Sequence, residues 1–436
     1  MTNPAVATRP TVLDSARTDV SLADLTTLRV GGPVGQYVQT ESEADLIAVI
    51  RYADDAGIPL LVIGGGSNIV AGDQGFAGIV VRDARSGIRE DLIDSCGGAS
   101  VTVPAGHNWD EFVRHTVIQG WVGIESLIGI PGTVGAAPVQ NIGAYGQEIS
   151  AVVASVRVYD RQEQRARMFA LTDLEFSYRD SKLKRTMREG ADGTGPWGPS
   201  PRYIVLEVNF QFRLGSLSAP IGYGELARKL GVAVGQRANA ADVAAAVLEL
   251  RGGKGMLLDA CGRPEVAATP GALGTLSLPA KAASVATADE AGAKITALAE
   301  AAVNAEPTFN RWSAGSFFTN PIVPVATQLP QGAPTYPVYT ATPKVTTGPT
   351  GGTVDESVVK TSAAWLIEQA GFGKGFGIDG PESAATLSTV HTLALTNRGG
   401  ANGSDIAALA RVVRDGVRER FGVTLVPEPV LVGITL

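Results

Sequence analysis

Two glycine-rich segments constrain the fold of this 436-residue chain more than any other feature. The first follows the apolar run PLLVI, which predicts a buried strand leading into a loop. It consists of Gly64, Gly65, Gly66, Ser67 and Asn68. Because glycine has no side chain, backbone N–H groups can converge there on one anionic oxygen, although a tight turn explains the same residues equally well. The residue order matches neither a P-loop nor the Rossmann fingerprint, which argues against an ATPase and a Rossmann-type NAD domain.

The second segment, GIPGTVGAAPVQNIGAYG, spans residues 129–146 and spaces its first glycines three residues apart. Such a segment can bring backbone amides against a diphosphate and lay polar groups along a planar ring. Taken alone, it also fits a series of structural turns. Two such loops in one chain favour a dinucleotide with a pyrophosphate bridge. The residues of this segment predicted to contact it are Pro131, Gly132, Gly135, Gln140, Asn141, Gly143, Ala144 and Tyr145.

The composition favours a globular enzyme that acts on a small molecule. Charged residues make up 18% of the chain and hydrophobic residues 44%, which excludes a disordered protein. The net charge is −7 and no basic run is interleaved with aromatic residues, which argues against a nucleic-acid surface. The three histidines match no metal-ligand spacing, so no metal site is expected.

The sequence also predicts a cytoplasmic protein without membrane insertion. Cys96 and Cys261 form no CxxC pair, which favours a reducing compartment. The N-terminus lacks a continuous apolar segment, and the chain contains no run of eighteen apolar residues. Residues 1–20 are polar and show no periodicity, so we predict a mobile leader there.

Helices and strands are mixed without a regular βαβ rhythm, which favours the α+β class. Apolar spacing predicts helices at 43–56, from 108 onward, from 240 to the glycines at 252 and 253, at 363–370 and at 404–421. Strands are predicted at 79–83, 101–106, 152–160, 203–212, 391–397 and near 430–434. In the 203–212 strand the residues that alternate with their neighbours are Ile204, Leu206, Val208 and Phe210.

Three short segments carry side chains suited to chemistry. In FSYRDSK (176–182) the Arg179 fork suits a substrate carboxylate and Tyr178 can donate a hydrogen bond, although an ordinary surface pair fits too. In SAGSFFTNP (313–321) Ser316 lacks the G-x-S-x-G elbow of a serine hydrolase and is a candidate proton donor. In PEP (427–429) Glu428 lies between two prolines, where an edge-strand carboxylate is the plainer interpretation.

Taken together and in order, the motifs resemble those of the UDP-N-acetylenolpyruvoylglucosamine reductase family from about residue 25 to 436. They are GGGSN, PGTVGAAPVQNIGAYG, FSYRDSK, RGGKG, AGSFFTNP, AAWLIEQAG, HTLALTN and LVPEPVLVG. The resemblance implies an FAD enzyme of the vanillyl-alcohol-oxidase-like (PCMH-type) fold with a C-terminal α+β substrate-binding domain. It implies that NADPH is used to reduce UDP-N-acetylglucosamine enolpyruvate to UDP-N-acetylmuramate, a step of peptidoglycan synthesis.

The resemblance also implies roles for three residues. An enol ether conjugated to a carboxylate accepts hydride at C3 only if the charge spreading onto the carboxylate is stabilised, and C2 must then be protonated. Arg179 matches the residue that polarises the carboxylate, Glu428 the residue that assists as a neutral acid, and Ser316 the residue that protonates C2.

Substrate and cofactor contacts carry over residue by residue. Positions that hold the UDP-sugar match Tyr178, Lys254, Asn320 and Lys360, and Arg251 is expected to join them. His391 stands where the family can place a glutamine, and a histidine can also donate a hydrogen bond. Ser67 stands where covalent flavin relatives of this fold commonly have a histidine, so the resemblance implies non-covalent FAD.

The motifs also suggest domain limits. We expect a first FAD-binding part at 21–85 that recovers the last strand (427–436), a second at 86–255, and a substrate-binding domain at 256–426. Segments at 264–306 and 323–353 are predicted insertions. The family suggests a monomer.

Two alternatives differ from this interpretation in class. A flavin oxidase of the same fold shares the glycine loops, but AGSFFTNP and FSYRDSK argue against it. A non-catalytic nucleotide-binding protein predicts loss of a catalytic residue, whereas Arg179, Ser316 and Glu428 are all present.

Overall fold

The structure, a computed structural model, describes residues 8–188, 196–257, 308–339 and 353–436, together with residues 293, 295 and 297. Helices and strands are mixed along the described chain, as expected for the α+β class. No helix in these ranges is both long and apolar enough to cross a membrane.

The N-terminal part is built on a parallel sheet covered by one helix. The strand order is Val34–Thr40, Phe76–Asp83 and Leu60–Val62. The helix Glu43–Asp55 begins at Ser42, whose side chain accepts a hydrogen bond from the Asp45 N–H. Its apolar residues recur at helical spacing, so one face is buried, formed by Leu46, Val49, Ile50 and Ala53.

The C-terminus of the chain returns to this part. The last strand, Val430–Val432, pairs in parallel with Ile69–Ala71, which directly follows the first glycine loop. The Val430 N–H also donates to the Asn68 carbonyl at 2.9 Å. This return carries Glu428 to the first glycine loop.

The middle of the chain forms an antiparallel sheet. Its strand order is Arg165–Ala170, Val153–Asp160, Tyr203–Leu214, Gly98–Pro104 and Arg89–Asp94, with Trp121–Val122 pairing the end of the long strand. Helices Trp109–Ile118 and Ala240–Gly253 pack in its core. Asn108 begins the first of them by accepting a hydrogen bond from the Glu111 N–H.

The long strand departs from simple alternation because of a β-bulge. Its register with Val153–Asp160 shifts at Leu206, which has no partner residue opposite it. One extra residue in a strand turns all the side chains that follow it to the opposite face of the sheet. Ile204 and Leu206 therefore pack on the N-terminal part, whereas Val208 and Phe210 pack in the core of the middle part. The period-two pattern of these four residues does not reveal that they face different cores.

The C-terminal part combines short strands with two helices. Three strands pair in the order Ile322–Pro324, Val358–Thr361 and Thr335–Tyr336, and Ala385–Leu387 pairs with Leu395–Asn397. The helices Ala363–Gln369 and Gly403–Phe421 share one apolar core with Phe317 and Phe318. The remaining α-helices and strands of the described ranges are Leu22–Leu25, Ala136–Gln140, Lys182–Arg188, Gly224–Leu230, Gly143–Ala144 and Gln147–Glu148.

The prediction of a mobile leader is wrong for residues 8–20. A 3-10 helix spans Thr11–Ser15, and Leu13 is only 1% exposed within the core of the N-terminal part. Arg17 forms a bridge to Tyr37 in the sheet. The segment lacks helical or strand periodicity because a single turn and an isolated bridge hold it. Residues 1–7 lie outside the described ranges.

The two predicted insertions are described only in part. Of 264–306, the structure describes residues 293, 295 and 297, and Ile295 is buried against the middle core. Of 323–353, it describes 323–339 and 353. Ile322–Pro324 and Thr335–Tyr336 both pair with Val358–Thr361, so the start of this segment belongs to a small sheet.

Candidate active site

A cavity of about 520 Å³ lies where the three parts of the chain meet. Every residue predicted above to bind cofactor or substrate or to act in catalysis lines it, except Asn141 and Lys360. Asn141 is 1% exposed, and its side-chain amide donates to the Ser177 carbonyl at 2.7 Å. It therefore anchors the segment that carries Tyr178 and Arg179. The described residues contain no group of three or more His, Cys, Asp or Glu arranged to hold a metal ion.

The two glycine loops form one wall of this cavity because their backbones touch. A Cβ atom on Gly65 would lie 2.7 Å from the Gly132 Cα. Gly66 has φ +63°, and a Cβ there would lie 1.8 Å from the Leu25 carbonyl oxygen. Ser67 Oγ donates to the Pro131 carbonyl at 2.8 Å and ties the loops together. A side chain at either glycine is therefore incompatible with this wall.

This wall fits FAD. Glycine backbone leaves room for a pyrophosphate to approach the main chain closely, and apolar side chains such as Trp109, Ile130 and Ile204 line the same cavity. A volume of about 520 Å³ falls within the usual range for small-molecule sites, about 300–1,000 Å³. The fit therefore depends on close backbone approach combined with apolar walls.

Arg179 and Glu428 form a partly buried ion pair at the cavity. Arg179 Nε lies 3.4 Å from Glu428 Oε1, and the two side chains are 17% and 15% exposed. Arg179 has φ +56° in a tight turn closed by mutual backbone hydrogen bonds between Ser177 and Asp180. Its Nη2 donates to the Gly143 carbonyl. Its Nη1 is buried and makes no hydrogen bond among the described residues, although Glu148 Oε1 lies 3.9 Å from it.

Ser316 and Glu428 are distant in sequence but line the same cavity. The Glu428 N–H donates to the carbonyl of Phe317 at 2.8 Å, and Phe318 forms a bridge to Pro427. Phe317 and Phe318 are each 1% exposed, so the apolar core fixes the segment next to Ser316.

The polar end of the cavity holds the remaining predicted side chains. The Lys360 ammonium lies 4.5 Å from the centre of the Tyr178 ring. Burial raises the pKa of Tyr178, against the opposing effect of Arg179, and burial lowers the pKa of Lys360. Asn320 Oδ1 accepts a hydrogen bond from the Ala363 N–H at 2.9 Å, at the start of a helix. Lys360 therefore reaches the site by contacting Tyr178.

A second polar group surrounds Tyr145, whose pKa burial raises to about 12. The Lys254 ammonium lies 5.4 Å from the Tyr145 ring centre and 2.6 Å from Glu225 Oε2. Burial, followed by the charge of Lys254, lowers the pKa of His391 to about 4, so this imidazole is neutral near pH 7.

The guanidinium of Arg251 forms hydrogen bonds to backbone carbonyls of the protein. It donates to the carbonyls of Gly129 and Met256 at 3.1 and 2.9 Å. Burial lowers the pKa of this guanidinium. In this structure Arg251 holds the start of the second glycine loop.

The residues at the site that sequence reasoning misses include Tyr223 and Lys184. Tyr223 lines the cavity and packs edge-on against Tyr145 at 5.6 Å, although it follows no recognisable motif. Lys184 is 3% exposed and donates to Gln140 Oε1 at 2.6 Å. Its surroundings in the sequence, KLKR, are typical of a solvated basic helix face. Only the fold shows that this ammonium is buried.

Comparison with known protein families agrees with this geometry. The family model described as "FAD binding domain" matches residues 34–167. The family model described as "UDP-N-acetylenolpyruvoylglucosamine reductase, C-terminal domain" matches residues 306–432. The expected order, an FAD-binding part followed by a C-terminal domain, is confirmed.

Similar proteins cover nearly the whole chain. The UDP-N-acetylenolpyruvoylglucosamine reductase of Cutibacterium acnes is 43% identical over 418 residues, which cover 96% of this chain and 90% of that protein. The protein of the same name from Thermobifida fusca is 42% identical over 424 residues, covering 96% and 98%. The crystal structure of the UDP-N-acetylenolpyruvylglucosamine reductase (MurB) of Thermus caldophilus has a TM-score of 0.50 at 20% identity, covers 96% and 99% of the two chains, and supports the fold. The chain belongs to the UDP-N-acetylenolpyruvoylglucosamine reductase family.

Proposed function

We propose that this chain reduces UDP-N-acetylglucosamine enolpyruvate to UDP-N-acetylmuramate for peptidoglycan precursor synthesis, with FAD as cofactor and NADPH as hydride donor. Family membership supports the reaction. One observation supports this assignment of the active site. Arg179, Ser316 and Glu428 line the cavity whose wall is formed by the two glycine loops. A cation, a carboxyl and a hydroxyl are the groups that this reduction requires.

Both glycine loops hold the cofactor in this proposal, through the backbone of Gly64 to Gly66 and of Gly132 to Gly143. Held there and reduced by NADPH, FAD would supply the hydride that reaches C3 of the enolpyruvyl group. Ser67 offers no imidazole for a covalent link, so the cofactor is held non-covalently.

Arg179 binds and polarises the substrate carboxylate. Negative charge spreads onto that carboxylate as C3 gains hydride, and a fixed guanidinium lowers the barrier to this step. Nη1 supports the assignment because it makes no hydrogen bond among the described residues and lies 3.9 Å from the Glu148 carboxylate, beyond hydrogen-bond distance. Glu428, 3.4 Å from Arg179, places a carboxyl group at the same end of the substrate.

Ser316 gives its hydroxyl proton to C2, which completes the reduction of the double bond. NADPH supplies the hydride that reaches C3 and is left as NADP⁺, and Ser316 regains from solvent the proton that it gives to C2. A hydroxyl is a weak acid, but the carbanion-like centre is a strong base, so a well-placed serine is a competent donor.

The polar end of the cavity binds the UDP-sugar. Its diphosphate is anionic, and the ammonium groups of Lys254 and Lys360 lie 5.4 and 4.5 Å from the ring centres of Tyr145 and Tyr178. Asn320 and His391 add hydrogen-bonding groups, and Arg251 contributes by holding the adjacent loop.

We also propose that the enzyme works in the cytoplasm as a monomer. Low cysteine content favours a reducing compartment. Light scattering of the purified protein measures the mass directly, and a dimer would contradict the monomer.

The function is tested by recording anaerobic visible spectra of the purified protein. NADPH should bleach the flavin band, and UDP-N-acetylglucosamine enolpyruvate should restore it. Recovery only when air enters would instead indicate an oxidase of the same fold. A protein that takes up no FAD would contradict the flavin assignment.

A further inference from the structure

Lys184 is a buried ammonium whose contacts join three separate segments of the site. It lies in the helix Lys182–Arg188 and is 3% exposed. Its Nζ donates to Gln140 Oε1 at 2.6 Å, to the Glu428 carbonyl at 3.2 Å and to the Arg179 carbonyl at 3.3 Å. These three acceptors are neutral, so no carboxylate among them offsets the cost of burying the charge. Burial of this charge costs folding free energy, and the positions of the three acceptors that it holds show what the charge does at the site.

The contact with Gln140 determines which way its amide faces. An ammonium has donors and no acceptor, so the Gln140 oxygen must point to Lys184. The amide nitrogen then points the other way and donates to Glu428 Oε1 at 2.8 Å. With the amide reversed, NH2 would face the ammonium and oxygen would face the carboxyl. The contact with Lys184 thus determines whether the Gln140 amide presents a hydrogen-bond donor or an acceptor to the Glu428 carboxyl.

The backbone contacts add a second constraint. Arg179 and Glu428 come from distant segments, yet their carbonyls share the same ammonium. Their side chains meet at 3.4 Å on the cavity side. Lys184 does not line the cavity and so reaches the reacting atoms only through these residues.

We propose that Lys184 is a positioning residue for the reduction. Through the Gln140 amide it orients the Glu428 carboxyl. Through hydrogen bonds to the backbone carbonyls of Glu428 and Arg179 it fixes the positions of these two residues relative to each other. This inference rests on the proposed function, because it assigns Lys184 to the step in which substrate is reduced.

The charge of this ammonium is sensitive to pH near the working range. Burial lowers the pKa of Lys184 to about 8. The charges of Arg188 and Arg179 lower it too, whereas those of Glu428 and Asp180 raise it. Above that pH the amine keeps two N–H donors for three acceptors. Substrate reduction should therefore weaken as the pH rises through about 8, while binding of substrate changes less.

The test separates the two half-reactions of the FAD-loaded enzyme by anaerobic stopped-flow measurement. In Lys184→Met, flavin reduction by NADPH should stay near the wild-type rate. Reoxidation by UDP-N-acetylglucosamine enolpyruvate should slow by about 10- to 100-fold, the scale of a small misplacement of catalytic groups. The decrease in the reoxidation rate above about pH 8 should also be absent from this variant. Lys182→Met is the matched control, since Lys182 lies on the same helix and its side chain is 34% exposed.

A double-mutant cycle tests the route through the amide. If Lys184 acts through Gln140, Lys184→Met combined with Gln140→Leu should be no slower than the slower single variant. Fully additive losses would contradict that route. FAD content, the thermal midpoint and the Kd of UDP-N-acetylmuramate for the oxidised enzyme are measured alongside, and in Lys184→Met all three should stay close to wild type.

Two results would overturn the proposal. One is an unchanged reoxidation rate and pH profile in Lys184→Met. The other is an equal fall of both half-reactions together with lower FAD content, which would mark a purely structural lysine. Should Lys184→Met fail to fold, Gln140→Leu tests the same route, because an unchanged reoxidation rate with substrate in that variant contradicts the proposal. Failure of wild-type flavin to reoxidise with substrate would instead refute the proposed function.

Discussion

The AGSFFTNP segment contains two hydroxyl side chains, Ser316 and Thr319, and they differ in their access to the cavity. Ser316 lines it, whereas Thr319, three residues on, donates its hydroxyl to the Val426 carbonyl at 3.4 Å. The motif by itself does not show which hydroxyl is placed for chemistry, and the fold separates them.

We predict that Ser316→Ala slows substrate reduction by about 10²- to 10⁴-fold, the usual contribution of a positioned proton donor. Flavin reduction by NADPH should remain near normal because it needs no proton at C2. Single-turnover kinetics of each half-reaction measure this, with Thr319→Ala as the control. An equal loss in both half-reactions would contradict the role of Ser316.

Gly66 and Gly57 have the same backbone conformation in different surroundings. Their φ angles are +63° and +65°, so an alanine at either position costs about 1 kcal/mol in strain. A Cβ at Gly66 would lie 1.8 Å from the Leu25 carbonyl oxygen, whereas nothing lies within 4 Å of one at Gly57.

Gly66→Ala should therefore purify with little bound FAD and unfold at lower temperature. Gly57→Ala should bind FAD normally and lose only the strain energy. Flavin absorbance per protein and the thermal midpoint test the pair. Equal FAD content in the two variants would show that the first glycine loop does not hold the cofactor.

At the scale of elements, the start of the long C-terminal helix is held by a residue from the N-terminal part. Asp73 accepts hydrogen bonds from the Gly403 and Ser404 N–H groups at 2.6 and 3.1 Å and from the Ser404 hydroxyl at 2.6 Å. Burial opposes ionisation, but these hydrogen bonds outweigh it and lower the pKa of Asp73. A carboxylate at a helix N-terminus also faces the positive end of the helix dipole.

Asp73→Asn should lower the free energy of unfolding by about 1 kcal/mol at pH 7. Because the folded pKa is lowered, the contribution is present above the unfolded pKa of about 3.9 and is lost as the pH falls through the folded value. Urea unfolding at pH 7 and below pH 4 should show the difference shrink. The same change at exposed Asp379 should have little effect at either pH.

At the scale of the whole molecule, an ion-pair network joins the N-terminal and middle parts. Glu43 pairs with Arg85 at 2.9 Å and with Arg157, and Arg157 also lies 3.2 Å from Glu207. The hydrogen bond from Arg157 lowers the pKa of Glu43, against an opposing effect of burial. The two glycine loops proposed to hold FAD belong to these two parts, so the network bears on the shape of the site.

We expect Glu43→Gln to lower the free energy of unfolding by about 1–2 kcal/mol at neutral pH, and by less at high salt. The loss should shrink as the pH falls below about 4, because the lowered pKa confines the contribution to higher pH. Exposed Glu41→Gln is the control. A salt-independent loss would contradict an electrostatic link.

Sequence alone determined the local features of this protein. Helical spacing of apolar residues predicted the helices at 43–55 and 403–421 to within a residue or two, because one buried face imposes that period. Loops in which glycine permits close backbone approach were visible for the same reason, since the requirement lies in the residue itself.

Only the tertiary structure decided which distant residues meet. The bulge at Leu206 sends neighbouring side chains of one strand to different cores, and no local pattern records where a partner strand slips. The burial of Lys184 and the approach of Glu428 to the residue after Ser316 depend on segments far apart in the chain. Propensity and periodicity are properties of a short stretch, whereas an active site is a property of the packing that brings such stretches together.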